Sequence, residues 1–501
     1  MLLADIAHRG ATLAPGGTAW AWSGRTRTHA QSAERVRRLA GHLQASGVRD
    51  GSRVVVLSPN VPEVLELLCA ASLTGAVVVP INARLAPDEM RAIADDAQPE
   101  LAVVHPSLEA AGRDAGLLDR PTWLLGEGWE SRLSSAAAGP LPARPSPESP
   151  VLQLYTSGTT GRSKGCLLSS RALLASVANT ALGLDLQPGE RLLGVFPFFH
   201  VAGLGLALAT MAYGGTVVCP PAADPATLWQ QVEEHSCTLA GLPGGRATLE
   251  HPAAATGSRS LRAVVGGANM ETPLHALRTG LLPHVRWYGV YGSTEGGNLV
   301  SVTSTQDEQD RPGTIGRPLP GFAVTVLGDE DVEQPAGSVG ELGLRGSSLM
   351  SGYAGREEAT AEGLRGGWLH TGDLVRLDDE GYLYFVDRDK DMIKSGGENV
   401  YSIEVERVLL AHADVLDAAV VGVPDRRWGE AVKAVVVRCP GADVQPEELS
   451  EFCSQHIGRF KVPRWYEFVA VVPRSPLGKV LKRELRDAHD DTVAVRLAER
   501  S

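Results

Sequence analysis

The residues of this chain best suited to chemistry lie in Thr156 to Gly165, TSGTTGRSKG, directly after an apolar run, Val151 to Tyr155, that reads as a strand. Gly158, Gly161 and Gly165 let a turn expose successive backbone N–H groups. The hydroxyls of Thr156, Ser157, Thr159 and Thr160 add donors, and Lys164 adds a mobile positive charge. The combination suits the phosphates of a nucleotide. The spacing is not that of the nucleotide-hydrolase loop Gly-x-x-x-x-Gly-Lys-Ser/Thr, because Lys164 follows Gly161 by three and precedes Gly165 rather than a hydroxyl. Composition alone leaves two readings open, a phosphate cradle or a flexible Ser/Gly surface loop.

Further polar groups recur along the chain, each with an ordinary reading taken alone. Glu295, in YGSTEGG (Tyr291 to Gly297), reads by itself as a solvated loop acid. Asp373, in TGD, reads as a turn acid capping N–H groups. Lys479, in PRSPLGKVLK, reads as a solvated charge. His200 follows an aromatic pair at a strand end and reads as half-buried and hydrogen-bonded. There is no Ser/His/Asp set. Six Cys, at positions 69, 166, 219, 237, 439 and 453, show neither a C-x-x-C nor metal spacing and read as reduced, mostly core residues. Cys166, beside the Gly-rich stretch, is expected only to pack.

Taken in order, these motifs resemble the signatures of the adenylate-forming enzymes: acyl-CoA synthetases, the adenylation domains of peptide synthetases, and luciferases. The resemblance runs over almost all of the chain and is strongest to an acyl-CoA synthetase. It implies that Thr156, Ser157, Gly158, Thr159, Thr160, Gly161 and Lys164 hold phosphates, and that Gly266, Gly267 and Ala268 line the adenine face. It further implies that Tyr291 stacks on adenine beside Gly292, that Thr294 contacts phosphate and that Glu295 holds Mg²⁺. Asp373 would take the ribose hydroxyls and Arg388 would reach ribose and phosphate. Asp389 would be the hinge, and Lys479 would bond both the substrate carboxylate and the α-phosphate. Ser163 stands where the family usually has Pro, which costs some loop rigidity.

The implied function is an ATP-dependent carboxylic acid:CoA ligase using ATP, Mg²⁺ and coenzyme A, with Lys479, Thr294 and Glu295 as catalytic residues. Two alternatives stay open: a stand-alone adenylation enzyme that loads a carrier protein, and a homologue that binds nucleotide without ligating. The family's α-amino acid enzymes place an Asp near the PFFH position to bind the substrate ammonium. Phe198 to Ala202 has no carboxylate, and a buried ammonium without a partner is costly, so an α-amino acid is disfavoured. Candidate pocket walls are Phe199, His200, Val201, Leu242, Pro243, Gly266, Val290 and Ser293, with Asn269 and Met270 beside them. The mix suits an aromatic or medium aliphatic acid.

The elements that must position these groups follow from periodicity. Gln31 to Ser46 and Pro62 to Leu73 read as helices, and Arg53 to Leu57, Ala76 to Pro80 and Leu101 to Val104 as buried strands, the rhythm of a parallel sheet covered by helices. Ser134 to Pro150 is a low-complexity connector. A helix from Ser169 to Thr180, capped by Ser169 or Ser170, is expected just after the Gly-rich stretch, with its positive end available to phosphate. Strands Arg191 to Phe196, Thr238 to Gly241, Leu261 to Val265 and Trp287 to Tyr291 each end in Gly-rich or polar clusters, and in parallel sheets that edge binds ligands.

From about Gly313, short Gly-punctuated strands predict an antiparallel β subdomain, reaching residue 387. The last unit, 388–501, reads as a small mobile α+β domain carrying Lys479. The five successive charges Asp387 to Asp391 are expected to be exposed at the junction, and to rule out a buried strand there. The fold class is therefore α/β: a large N-terminal domain, 1–387, of helix-covered, mostly parallel sheets plus the β subdomain, followed by the mobile domain.

With 501 residues, more than one core is expected. A formal net charge of -12 argues against nucleic-acid partners or bulk binding to an anionic membrane. Met1 to Gly10 has no secretory pattern, and no apolar run approaches a membrane span, so the expected location is cytoplasmic. If Lys479 acts as the resemblance implies, Lys479→Ala slows acyl-adenylate formation by ~10²-fold or more while sparing thioester formation from supplied acyl-adenylate. Separate assays of the two half-reactions check this, and equal losses in both would refute the role.

Overall fold

The structure is a computed structural model that describes residues 1–135, 144–156, 163–242, 245–267, 280–395, 398–474, 480–490 and 493–497. The chain divides into two compact units. The first comprises Met1–Thr325, Gly343–Thr371 and Asp378–Tyr384; the second comprises Val326–Leu342, Gly372–Leu377 and Phe385–Ser501.

Two sheets organise the first unit. In one, the strands Arg53–Leu57, Val77–Pro80, Leu101–Val104 and Thr122–Leu124 pair in parallel, and Val77–Pro80 also pairs in parallel with Pro150–Thr156. Their near-continuous Val/Leu runs are what a strand covered on both faces requires; Val54, Val55, Val78 and Val79 are fully buried. In the other, six strands are parallel, in the order Thr18–Trp22, Thr216–Cys219, Arg191–Leu193, Leu239–Gly241, Ala263–Gly267, Arg286–Ser293. Antiparallel Asn298–Ser304 and Thr314–Pro318 continue beyond the last of them. Helix boundaries follow local chemistry. His29–Ala45 opens on a capping box in which Thr28 and Gln31 exchange side-chain and backbone bonds.

Three expectations are corrected. The helix expected from Ser169 forms, as Ser170–Gly183, but its start does not face Thr156 and Lys164. Lys164–Ser169 is a strand antiparallel to Pro150–Thr156, with Thr156 opposite Lys164 and Pro150 opposite Ser169. Ser169 does cap the following helix, Ser170–Gly183, accepting from the Ala172 N–H. That helix therefore starts at the end of the hairpin opposite Thr156 and Lys164, where it cannot serve a phosphate held by them. Arg191–Phe196 shortens to Arg191–Leu193, because the carbonyls of Gly194 and Phe196 bond instead to the Asn60 side chain.

The third correction concerns the charged run. Asp387 and Arg388 close the strand Leu383–Arg388, and Asp387 is only 1% exposed. Its carboxylate is satisfied by the backbone N–H and hydroxyl of Ser402, at the start of helix Ser402–Leu410. A charge run does not exclude burial when a helix N-terminus supplies the donors. Asp389 and Lys390 are exposed, as expected, on a short 3₁₀ turn.

The strands Phe322–Leu327, Val339–Gly346, Leu369–Leu377 and Leu383–Arg388 form as the alternation predicts, their residues shared between the two units. In the second unit, Gly429–Arg438 pairs with Val415–Asp425, Ile393–Ser395 and Trp465–Phe468. Helices Ser402–Leu410 and Pro446–His456 pack over a core including Val405, Val420, Val436 and Tyr466.

Behind Ser402, the Lys482 ammonium bonds to the Ser402 hydroxyl and lies 2.8 Å from Glu406, which also accepts from the Val420 N–H at 2.8 Å. Burial pushes the Glu406 carboxyl up, against the opposing pull of Lys482 and Val420. Lys482→Met removes the ammonium that lies against the Ser402 hydroxyl and the half-buried Glu406. It is expected to destabilise the fold by roughly 3 kcal/mol, more than a surface lysine would, measured as the shift in the urea midpoint.

Candidate active site

The hairpin of Pro150–Thr156 and Lys164–Ser169 carries the first group of candidates. A two-residue edge strand, Gly352–Tyr353, pairs with it, Tyr353 opposite Cys166. Flanking bonds run from Ser351 N–H to the Leu167 carbonyl and from Ala354 N–H to the Gly165 carbonyl, both 2.8 Å. Beneath lies a polar brace: the Gln153 amide donates to the Tyr155 hydroxyl, which donates to Asp96 at 2.6 Å, and Arg356 closes on Asp96 at 2.6 Å. Burial and the Asp96 carboxylate hold the Tyr155 phenol protonated far above neutral pH. Cys166 is fully buried, and burial likewise drives its thiol pKa well above the usual range, so it packs and does not react.

The second group lies on the turn between Arg286–Ser293 and Asn298–Ser304. Gly297 has φ +82°, and a Cβ there would stand 2.0 Å from the Ser348 carbonyl, so only glycine fits. Ser293 Oγ accepts from Gly296 N–H, and Ser348 Oγ donates to the Gly296 carbonyl. Glu295, held on this turn, has its backbone carbonyl bonded by the Met350 N–H at 2.9 Å. Its Oε1 accepts from Thr156 Oγ1 at 3.2 Å and from the Tyr353 hydroxyl at 3.1 Å. Two candidates 139 residues apart, Thr156 and Glu295, are thus in direct contact. Lys164 Nζ lies 5.1 Å from the centroid of the Tyr353 ring.

Tyr353 was not among the sequence candidates. Its partners are Glu295, 58 positions away, and the hairpin, so no local spacing marks it. The same holds for Asn60, whose amide donates to the carbonyls of Gly194 and Phe196 and accepts from Phe198 N–H, setting the path into Phe199 and His200.

The acid-pocket candidates fall together at one sheet edge. Phe199 and His200 follow the strand Arg191–Leu193, Leu242 follows Leu239–Gly241, Gly266 and Gly267 end Ala263–Gly267, and Val290 and Ser293 end Arg286–Ser293. These four strands are adjacent and parallel, so their carboxyl ends lie side by side. Gly267 pairs with Val290, next to half-buried Tyr291 and exposed Gly292. Among the described residues, a Cβ placed on Gly266 would meet no atom within 4 Å. Val201 begins the helix Val201–Ala212 and is mostly buried, and His200 is its N-cap residue. Gly203 brings that helix against the loop before it, where a Cβ would stand 2.3 Å from the Pro197 carbonyl.

In the second unit, Asp373 is buried and pairs with Arg388, Oδ1 to Nε 3.4 Å, and Gly372 N–H bonds to Glu341. Ser157, Gly158, Thr159, Thr160, Gly161, Pro243, Ala268, Asn269, Met270 and Lys479 lie outside the described residues. A cavity of about 920 Å³ lined by Trp22, Arg27, Arg35 and Glu130 contains none of the candidates; it opens among the ion pairs Arg27–Glu66 and Arg35–Glu130. Among the described residues, no group of three or more His, Cys, Asp or Glu could hold a metal ion. A metal at Glu295 would therefore complete its shell with the oxygens of a nucleotide. The residues fit that use, because among the described residues both bonds to the carboxylate land on Oε1, which leaves Oε2 to a hard cation.

A Gly-rich hairpin and an acid-bearing turn at the carboxyl ends of parallel strands define a nucleotide-binding enzyme of the α/β class. The profile of a family described as "AMP-binding enzyme" matches residues 8–354, and that of "AMP-binding enzyme C-terminal domain" matches 404–479. The chain is 39% identical to a feruloyl-CoA synthase of an Amycolatopsis species, over 95% of this chain and 97% of that one. It is 36% identical to an indoleacetate–CoA ligase of Aromatoleum aromaticum, over 97% and 98%. It superposes on the crystal structure of ATP-bound MatB from Rhodopseudomonas palustris with a TM-score of 0.88 and 27% identity, over 98% and 100% of the two chains. The chain belongs to the AMP-binding, adenylate-forming family and is acyl-CoA synthetase-like.

Gly266 gives a test that separates fold from site. Gly266→Val adds a Cβ that has no described atom within 4 Å and suits a strand, so its melting curve is expected to match wild type. The added methyls occupy ligand space, and KM for ATP or for the acid is expected to rise roughly 10-fold. A variant with unchanged kinetics would place the ligand elsewhere.

Proposed function

We infer that this chain is an ATP-dependent carboxylic acid:CoA ligase, AMP-forming, acting through an acyl-adenylate. The observation that carries the reading is the meeting of Thr156 and Glu295 beside Lys164, at the carboxyl edge of a sheet. In the first step a carboxylate oxygen attacks the α-phosphorus of ATP, the bond to the bridging oxygen breaks, and pyrophosphate leaves. Thr156, Thr294 and Lys164, with the Gly-rich residues 157–161, hold phosphate oxygens. Glu295, together with the phosphates, would hold a Mg²⁺ ion, which would supply charge to offset the negative phosphates. Gly266, Gly267, Ala268, Tyr291 and Gly292 receive the adenine, and Asp373 with Arg388 the ribose. Lys479 stabilises the crowding of carboxylate and phosphate in the transition state.

In the second step the thiol sulfur of coenzyme A attacks the acyl carbonyl carbon. The carbon–oxygen bond to AMP breaks, AMP leaves, and the thiol proton passes to solvent. The small domain, 388–501, turns at Asp389 between the steps. The pocket built from Phe199, His200, Val201, Leu242, Pro243, Gly266, Val290 and Ser293 takes an aromatic or medium-chain acid. The aryl acids in the names of the two relatives support the aromatic choice. Among the described residues no helix is long and apolar enough to cross a membrane, and we place the enzyme in the cytoplasm.

Pyrophosphate release measured over a panel of aryl and aliphatic acids, with and without coenzyme A, tests the reading. An aryl acid should give the highest kcat/KM, and coenzyme A should convert a single burst into turnover. Release without coenzyme A dependence for every acid would remove the CoA ligase assignment. Asp389→Pro tests the hinge: it fixes φ near -65° and restricts Arg388. First-turnover pyrophosphate release should persist while thioester formation from supplied adenylate collapses. Wild-type rates for both in the folded variant would move the pivot elsewhere.

A further inference from the structure

Tyr353 belongs to neither motif, yet it touches both. Its backbone is fixed independently of its phenol, by pairing with Cys166 and by donation of its N–H to Thr360 Oγ1 at 2.9 Å. The phenol is therefore free to serve another group, and it donates to Glu295 Oε1 at 3.1 Å. Thr156 Oγ1 donates to the same oxygen at 3.2 Å, and among the described residues Oε2 accepts no hydrogen bond. The Met350 N–H, three residues before Tyr353, holds the Glu295 carbonyl. One short segment thus restrains Glu295 at both backbone and side chain. The other face of the task is cationic, with Lys164 Nζ within 5.1 Å of the Tyr353 ring centroid.

A glutamate on a turn has three side-chain torsions to restrict before it can serve as a ligand, and each bond that restricts it beforehand lowers the cost of binding. Two donors on one oxygen also leave the second oxygen facing away from them. We propose that Tyr353 is a positioning residue for adenylation: its phenol pins Glu295 through Oε1 so that Oε2 is presented to the metal of bound Mg·ATP, and its ring restrains the Lys164 ammonium beside the phosphates. The inference rests on the adenylation reading above.

The test uses the full chain and four variants: Tyr353→Phe, Tyr353→Leu, Glu295→Gln and the double variant Y353F/E295Q. Binding of α,β-methylene-ATP is titrated calorimetrically at several Mg²⁺ concentrations, and pyrophosphate release is followed over a single turnover. Y353F keeps the ring and is expected to require more Mg²⁺ for the same analogue affinity and to slow adenylation, each by ~10-fold. Y353L also loses the ring and should raise KM for ATP above that of Y353F. In the double variant the Y353F effect should largely vanish, because a group that acts through Glu295 has nothing left to act on.

Circular dichroism fixes a temperature at which all the proteins are folded. A lower melt with unchanged Mg²⁺ dependence would assign Tyr353 to packing and overturn the proposal. So would effects of Y353F and E295Q that multiply. A wild-type protein that binds Mg²⁺ with the analogue but releases no pyrophosphate with any acid would sink the ligase reading, while the calorimetric comparison still decides the role of Tyr353.

Discussion

The side-chain amide of Asn60 joins the two sheets of the first unit. It follows the strand Arg53–Leu57 in one sheet, and it bonds Gly194, Phe196 and Phe198 of the segment that leaves Arg191–Leu193 in the other. Backbone groups leaving a strand must be satisfied, and here three of them are met by one side chain rather than by a further strand pair. The constraint turns the chain into Phe199 and His200 and then into the helix Val201–Ala212, whose close approach depends on Gly203. A pocket wall at the end of one sheet is thereby indexed to the edge of the other.

A second joint links the same two sheets. The turn carrying Glu295 belongs to one sheet, and the hairpin carrying Thr156 and Lys164 to the other. The segment Ser348 to Ala354 bonds to both: Ser348 and Met350 to the turn, Ser351 to Ala354 to the hairpin. Charged groups that must face a nucleotide together are better held by rigid backbone than by their own long side chains, because less freedom remains to be lost on binding. The brace of Gln153, Tyr155, Asp96 and Arg356 adds to this by fixing the strand that delivers Thr156.

The second unit solves a different problem. In it Asp387 is buried against a helix start that supplies its donors, and Lys482 lies behind that start, between the Ser402 hydroxyl and Glu406. The 3₁₀ turn Asp389–Asp391 begins directly after the strand ends, with Asp389 and Lys390 exposed and Asp391 paired with Arg486. A firmly anchored Asp387 is thus followed within three residues by two solvated side chains.

By itself the sequence determined the elements whose signal is local. The Val-rich strands, the amphipathic helices with their caps and the Gly-punctuated alternation after Gly313 are all present, because burial on one or both faces writes a period into the residues that form them. The motifs and their order identified the family for the same reason: a phosphate cradle needs glycines and hydroxyls close together in the chain. The tertiary structure decided whatever depends on partners remote in sequence. The strand Lys164–Ser169 exists because Pro150–Thr156 offers it a ladder, and its length sets the start of Ser170–Gly183 at the far end of the hairpin. Asp387 is buried because Ser402 receives it. Asn60 and Tyr353 matter through bonds spanning 134 and 58 positions, and no spacing rule reaches so far. Local free energies select the elements; which polar groups meet is set by the packing of those elements, and that information appears only once the chain has folded.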